Sequence, residues 1–237
     1  MRKINFRGFF KGIFFLLRLD IWYPTKILLH LSHTSMLSKW IRKNASHEFN
    51  DFYTPKLFYN KRLQLFEYVI DKYIKNVPVD YFEFGVSTGG SFRWWVDKLK
   101  NEGTRFYGFD TFTGLPEAWG PYKKGDMGNG NEPPVIEGNR HFFYQGLFQQ
   151  TLIGFLSTYK QGKPKIVHMD ADIYSSTLYV LTLITPYLQK GDILLFDEFN
   201  VPMHEFKAFT EWANSFYIDY EVIASVNNYY QTAIRIK

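Results

Sequence analysis

From residue 79 onward the chain alternates short apolar runs with longer stretches whose apolar residues recur at helical spacing, and few folds allow that alternation. VDYFEF (79–84), RFYGF (105–109), HFFYQ (141–145), KIVHM (165–169) and DILLF (192–196) are short and rich in β-branched and aromatic residues, which predicts strands. Between them, Phe92, Trp95, Val96 and Leu99 make one helical stripe and Phe206, Phe209 and Trp212 another. Thr151–Lys160 and Ser176–Leu188 also read as helices. Leu63, Phe66, Ile70, Tyr73 and Ile74 predict a helix ahead of the first strand, closed by Pro78. Strand and helix in turn predict a parallel α/β sheet with helices on both faces. Tyr220–Val226 and Tyr229–Ile236 flank Asn227-Asn228, so the sheet is expected to close with an antiparallel hairpin on a two-residue turn. The polar, Gly- and Pro-rich stretch from Gly120 to Pro134 predicts a long loop of the kind that serves as a lid.

Composition narrows the chemistry. The chain has 237 residues, enough for one large domain with an extension, and its 46% apolar and 22% charged residues exclude wholesale disorder. It has no cysteine, which excludes disulfide scaffolds, thiolate metal sites and thiol nucleophiles, so a metal must sit on oxygen or imidazole. Charge is uneven. Residues 1–43 hold nine Lys/Arg against the single acid Asp20, while the rest holds 19 bases and 22 acids. A slightly acidic body excludes nucleic acid as its partner.

The chain therefore divides into a basic, aromatic-rich helical extension (1–50) and a domain from 51 to 237. The extension's longest apolar run, Ile13–Leu17, is far too short to span a bilayer, and no signal-peptide pattern precedes a cleavage site. Two readings stay open. In the favoured one, Phe9, Ile13, Leu16 and Leu17 face inward and the arm packs on the body or on a second subunit of a homo-oligomer. In the other, the arm lies on an anionic membrane. The expected location is cytoplasmic, membrane-peripheral under the second reading.

Two constellations carry chemistry. Glu83-Phe84-Gly85-Val86-Ser87-Thr88-Gly89-Gly90-Ser91 links the first strand to its helix, where glycine permits close approach of a ligand and the helix N-terminus offers free N–H groups. Such a turn often serves geometry alone, but Asp110 ends the next strand, where a carboxylate can accept the ribose hydroxyls of a bound nucleoside. No GxxxxGK[ST] motif is present, which disfavours a nucleoside-triphosphate site. The second constellation is four acids at two neighbouring strand ends: Asp170 and Asp172, then Asp197 and Glu198. Carboxylates gathered this closely repel unless a cation holds them, and Mg²⁺ or a similar hard ion suits oxygen ligands. The alternative is that they cap the following helices. His141 and His168 adjoin strands, where a histidine is more often a core residue than a second base.

In order, YFEFGVSTGGS, GFDTFTGLPE, GLFQQTL, HMDADIYSSTL and KGDILLFDEF resemble the blocks of the macrocin O-methyltransferase family over roughly residues 79–200. The resemblance implies a Rossmann-like class I methyltransferase sheet, mostly parallel with an antiparallel C-terminal hairpin. It also implies an S-adenosylmethionine- and metal-dependent enzyme that methylates sugar hydroxyls on small-molecule or glycan acceptors. Carried over residue by residue, it implies Asp170, Asp197 and Glu198 as metal ligands and Asp172 as general base. The cofactor would meet Glu83, Gly85, Ser87, Gly89, Gly90, Ser91, Asp110, Thr111 and Gly146. Glu198 stands where the family usually has a second Asp, and Gln150 where an Asp commonly precedes Thr-Leu. Two other functions compete: a nucleoside-binding pseudo-enzyme, and an NAD-type oxidoreductase, against which the ExGxxxGG spacing argues.

Overall fold

The computed structural model describes residues 6–21 and 24–237. Its centre is an eight-stranded sheet: β1 (Phe49–Asn50), β2 (Asp80–Phe84), β3 (Arg105–Asp110), β4 (His141–Gln145), β5 (Lys165–Met169), β6 (Ile193–Phe196), β7 (Tyr220–Val226) and β8 (Gln231–Ile236). Their order across the sheet is β1-β7-β8-β6-β5-β2-β3-β4. Every pairing is parallel except those of β8, which runs against both β6 and β7.

Alternation along the strands divides the core. Tyr81, Phe106, Ile166, Ile193 and Leu195 point to one face, packed under α3 (Lys61–Val69) and α4 (Gly90–Lys98) through Phe66, Phe92 and Trp95. Phe82, Phe84, Val167, Met169 and Leu194 point to the other face. There they meet α5 (Phe148–Thr158), α6 (Tyr174–Ile184) and α7 (Glu205–Ser215). Both faces are buried, which is why these strands read as nearly continuous apolar runs.

The remaining helices form the extension, α1 (Phe6–Leu16) and α2 (Thr25–Lys43). The far end of α2 is tied down: Leu37 and Trp40 are buried, with the Trp40 ring 4.7 Å from Phe199 and its Nε1–H donating to Tyr220 Oη at 2.8 Å. The inward-facing stripe expected on α1 is not found in this chain. Phe9, Leu16 and Leu17 are 60%, 79% and 57% exposed and Ile13 alone of the four is half-buried, because α1 packs chiefly on the short turn at 19–21 that follows it.

The closing hairpin differs from expectation in its turn. Val226 pairs with Gln231, so four residues cross the loop rather than two, and Asn227, Asn228 and Tyr229 all take positive φ. The Asn227 and Asn228 side chains are engaged elsewhere, accepting N–H bonds from Phe58 and Thr54. The long loop is folded back on itself: Leu115 and Asp126 are joined by a backbone bond, and Asn129 and Asn131 both donate to the Phe112 carbonyl.

Candidate active site

Chain order places the site. From β2 the chain winds outward through β3 to β4, and then returns to lay β5 on the other side of β2. The carboxyl ends of β2 and β5 therefore flank the topological switch point, where open α/β sheets bind ligands. Gly85 follows β2 there with φ +97°, and a Cβ on it would lie 1.7 Å from the Asp170 carbonyl oxygen. This glycine lets the two strand ends close on one another. A cavity of about 310 Å³ opens beside it, walled by Ser87, Gly90, Asp110, Thr111, Asp170 and Asp172 among others.

Asp110 organises the turn. Its Oδ2 accepts the N–H groups of Val86 and Ser87, each at 2.7 Å, and Oδ1 accepts the Phe112 N–H at 2.6 Å. Ser91 also lines the cavity, but its hydroxyl donates to Glu83 at 2.7 Å. Glu83 itself is fully buried behind the wall, where it also takes the Tyr81 hydroxyl. Gly89 packs behind the wall as well, against Pro134. Gly146 borders an adjoining recess with Gln150, whose Oε1 accepts the Leu147 N–H and closes the start of α5. His168 is fully buried and bonded to Tyr81, and His141 lies outside the cavity, so neither is placed to act as a second base.

The four strand-end acids come together. Carboxylate oxygens of Asp170, Asp172 and Glu198 lie within 4.8 Å of one another, and so do ligand atoms of His168, Asp170 and Asp197. They do not cap helices: neither α6 nor α7 has a side-chain hydrogen bond at its N-cap. Burial, and after it the charge of Asp197, pushes Asp170 and Glu198 well above the usual carboxylate range. Asp172, held at φ +58°, is pushed up to about 7 by burial and then by the charges of Asp197 and Asp110.

Three partners of this cluster carried no signal in the motif blocks. Arg62, in the first turn of α3, donates to Asp197 Oδ2 at 2.8 Å and lies 3.5 Å from Asp170 Oδ2. The Tyr59 ring sits 4.2 Å from that guanidinium, and its hydroxyl donates to Asp197. Glu205, fully buried, accepts the Glu198 N–H at 3.0 Å.

Arg62 balances part of the charge only. Asp197 Oδ1, Glu198 Oε2 and His168 Nε2 are buried without a hydrogen-bond partner. Orphaned oxygens on adjacent carboxylates cost free energy unless something cationic meets them. A purely oxygen and imidazole donor set of this kind fits a hard divalent ion.

Residues 82–199 match the family model described as a methyltransferase domain. Among solved structures the fold is similar to CalS11, a calicheamicin methyltransferase, at a TM-score of 0.58 and 20% identity, covering 90% of this chain and 93% of that one. The apo structure of CalS11, a TDP-rhamnose 3'-O-methyltransferase, matches at 0.53 and 21%, covering 90% and 95%. The O-methyltransferase NovP matches at 0.57 and 17%, covering 89% and 98%. No curated protein matches the chain in sequence. At these identities the likeness is one of fold, and together with the matched segment it leads to one conclusion: over residues 82–199 the chain carries a methyltransferase domain, set in the class I methyltransferase fold.

Proposed function

We propose that the protein transfers a methyl group from S-adenosylmethionine to a hydroxyl of a sugar or glycoside, with a divalent cation at the acid cluster and Asp172 as base. One observation carries this reading: a cavity at the switch point is lined by the glycine turn and Asp110 and also by Asp170 and Asp172, which cluster with Asp197 and Glu198, whose buried oxygens are orphaned. The sugar class draws support from the likeness to CalS11, a TDP-rhamnose 3'-O-methyltransferase, and the macrocin-type blocks agree with it.

Asp170, Asp197 and Glu198 would hold the cation, which when bound acidifies a hydroxyl coordinated to it. S-adenosylmethionine brings a methyl group that is already activated. What remains is positioning and proton transfer. The free N–H groups at the start of α4 and the open face of Gly90 would receive the cofactor. Asp110 keeps one Oδ1 lone pair beyond its three amide bonds for a ribose hydroxyl. Asp172, on the cavity wall, takes the acceptor's proton on its carboxylate. Near pH 7 it is a better base than an ordinary aspartate, because burial raises its proton affinity. Met127, from the long loop, closes one side of the cavity, its carbonyl accepting the Ser87 hydroxyl at 3.1 Å.

The test is titration calorimetry with S-adenosylhomocysteine and NAD, followed by labelled methyl transfer to a panel of glycosides with and without chelator. Tight binding of S-adenosylhomocysteine and chelator-sensitive transfer are expected. Folded protein that binds neither ligand would leave an interaction module. Full turnover in chelator would return the acids to a structural role.

A further inference from the structure

Two neighbouring stripes at i, i+4, i+7 spacing, Phe9–Ile13–Leu16 and Phe10–Phe14–Leu17, run along α1 and one residue past it, and all of them but the half-buried Ile13 are exposed. Phe10 is 66% and Phe15 70% exposed, and in the first half of α2 Ile27 and Leu31 are 62% and 59% exposed. Lys11 lies across α1 from these stripes and Arg18 directly follows them. A soluble domain does not leave such a surface in water without something to cover it.

We infer that this arm docks the protein flat on an anionic lipid surface. Charge decides between occupants. Residues 1–43 carry nine bases and one acid, so pairing this arm with its copy about a two-fold axis would set nine bases against nine. An anionic bilayer instead accepts the aromatic side and attracts the bases. No helix among the described residues is long and apolar enough to cross a membrane, so the arm lies on the surface. Its foot is fixed to the body. Trp40 packs on Phe199, the neighbour of Glu198, so docking would tether the acid cluster near the bilayer.

Co-sedimentation of the full-length protein tests this, using vesicles of phosphatidylcholine alone or with equimolar phosphatidylglycerol. Pelleting with the anionic vesicles at low salt, lost at high salt, is the expected result. Lys11→Ala combined with Arg18→Ala should weaken partition about thirtyfold, at the strength of an exposed base near such a surface. Phe10→Ser combined with Leu17→Ser should abolish it, and both variants should keep the wild-type melting temperature because these side chains are exposed. Equal pelleting with neutral and anionic vesicles would overturn the proposal, as would pelleting indifferent to both double variants. A dimer in light scattering that dissolves with Phe10→Ser and Leu17→Ser, without vesicle binding, would assign the face to a second copy instead.

Discussion

Arg62 is the residue on which the acid cluster most depends. It is the base in contact with Asp197, which is fully buried and also takes the Tyr59 hydroxyl. Removing one partner of a buried pair leaves an uncompensated charge, at a cost of about 3–5 kcal/mol. Arg62→Ala should therefore lower the apparent stability by that order in chemical denaturation, and divalent cation should recover part of the loss. A change no larger than that of an exposed pair, under about 1 kcal/mol, would show that Asp197 needs no cation. Asp172 is tested through chemistry. Asp172→Asn should abolish methyl transfer while leaving S-adenosylhomocysteine affinity unchanged. With the wild type, turnover should fall in acid as Asp172 takes up its proton, with a midpoint below about 7 because the bound cation favours the charged carboxylates. A turnover that did not fall in acid would remove Asp172 as the base. Arg62 and Glu205 left a trace in the sequence that motif reading passes over. Arg62 falls on the stripe of Phe66 and Val69, and Glu205 on that of Phe209 and Trp212. A charged residue in the middle of a buried stripe has to meet an opposite charge, a hydrogen-bond donor or a ligand.

The glycine turn between β2 and α4 serves fold and ligand at different positions. Gly85 answers to the fold, since a Cβ would strike the Asp170 carbonyl at 1.7 Å and φ is positive. Gly90 lines the cavity, and a Cβ on it would meet nothing within 4 Å. Gly85→Ala should thus force β2 and β5 apart and cost about 3 kcal/mol or more, read as a lowered melting temperature or insoluble protein. Gly90→Ala should melt like the wild type but bind S-adenosylhomocysteine at least about tenfold more weakly, because the methyl group occupies space the cofactor needs. Unchanged affinity in Gly90→Ala would move the cofactor away from the turn. Sequence alone located each strand from 79 to 236: burial on both faces leaves apolar runs in β2, β5 and β6, and the half-exposed edge strand β4 still reads as a run of aromatic residues. It could not show that Phe49–Asn50 adds a strand beside β7, since two residues carry no periodicity. Nor could it give the length of the β7–β8 turn, which is set by Asn227 and Asn228 binding the distant backbone of Phe58 and Thr54.

At the scale of the whole molecule, the active-site acids set how stability responds to pH and to metal. An acid whose pKa rises on folding holds its proton more tightly in the native state, so its contribution to stability is full below the unfolded value and is lost as pH rises through the native one. For Asp172 that window runs from about 3.8 to about 7, and the stability lost across it is on the order of 4 kcal/mol. Asp170, Glu198 and Glu205 shift in the same direction, so all four favour the fold in mild acid and oppose it above neutrality. Arg62 offsets this for Asp170, but Asp172 and Glu198 have no base in contact among the described residues. A divalent cation favours the charged carboxylates, and so should stabilise the protein most where they are unprotonated. Thermal melts with and without Mg²⁺ should show an increase of several degrees above pH about 7, shrinking toward zero near pH about 5. The same melts of Asp197→Asn should show a smaller Mg²⁺ response above neutrality, because a neutral amide replaces a charged ligand. A Mg²⁺ effect that is absent at every pH, or larger in acid, would mean that the clustered acids settle their repulsion by sharing protons alone.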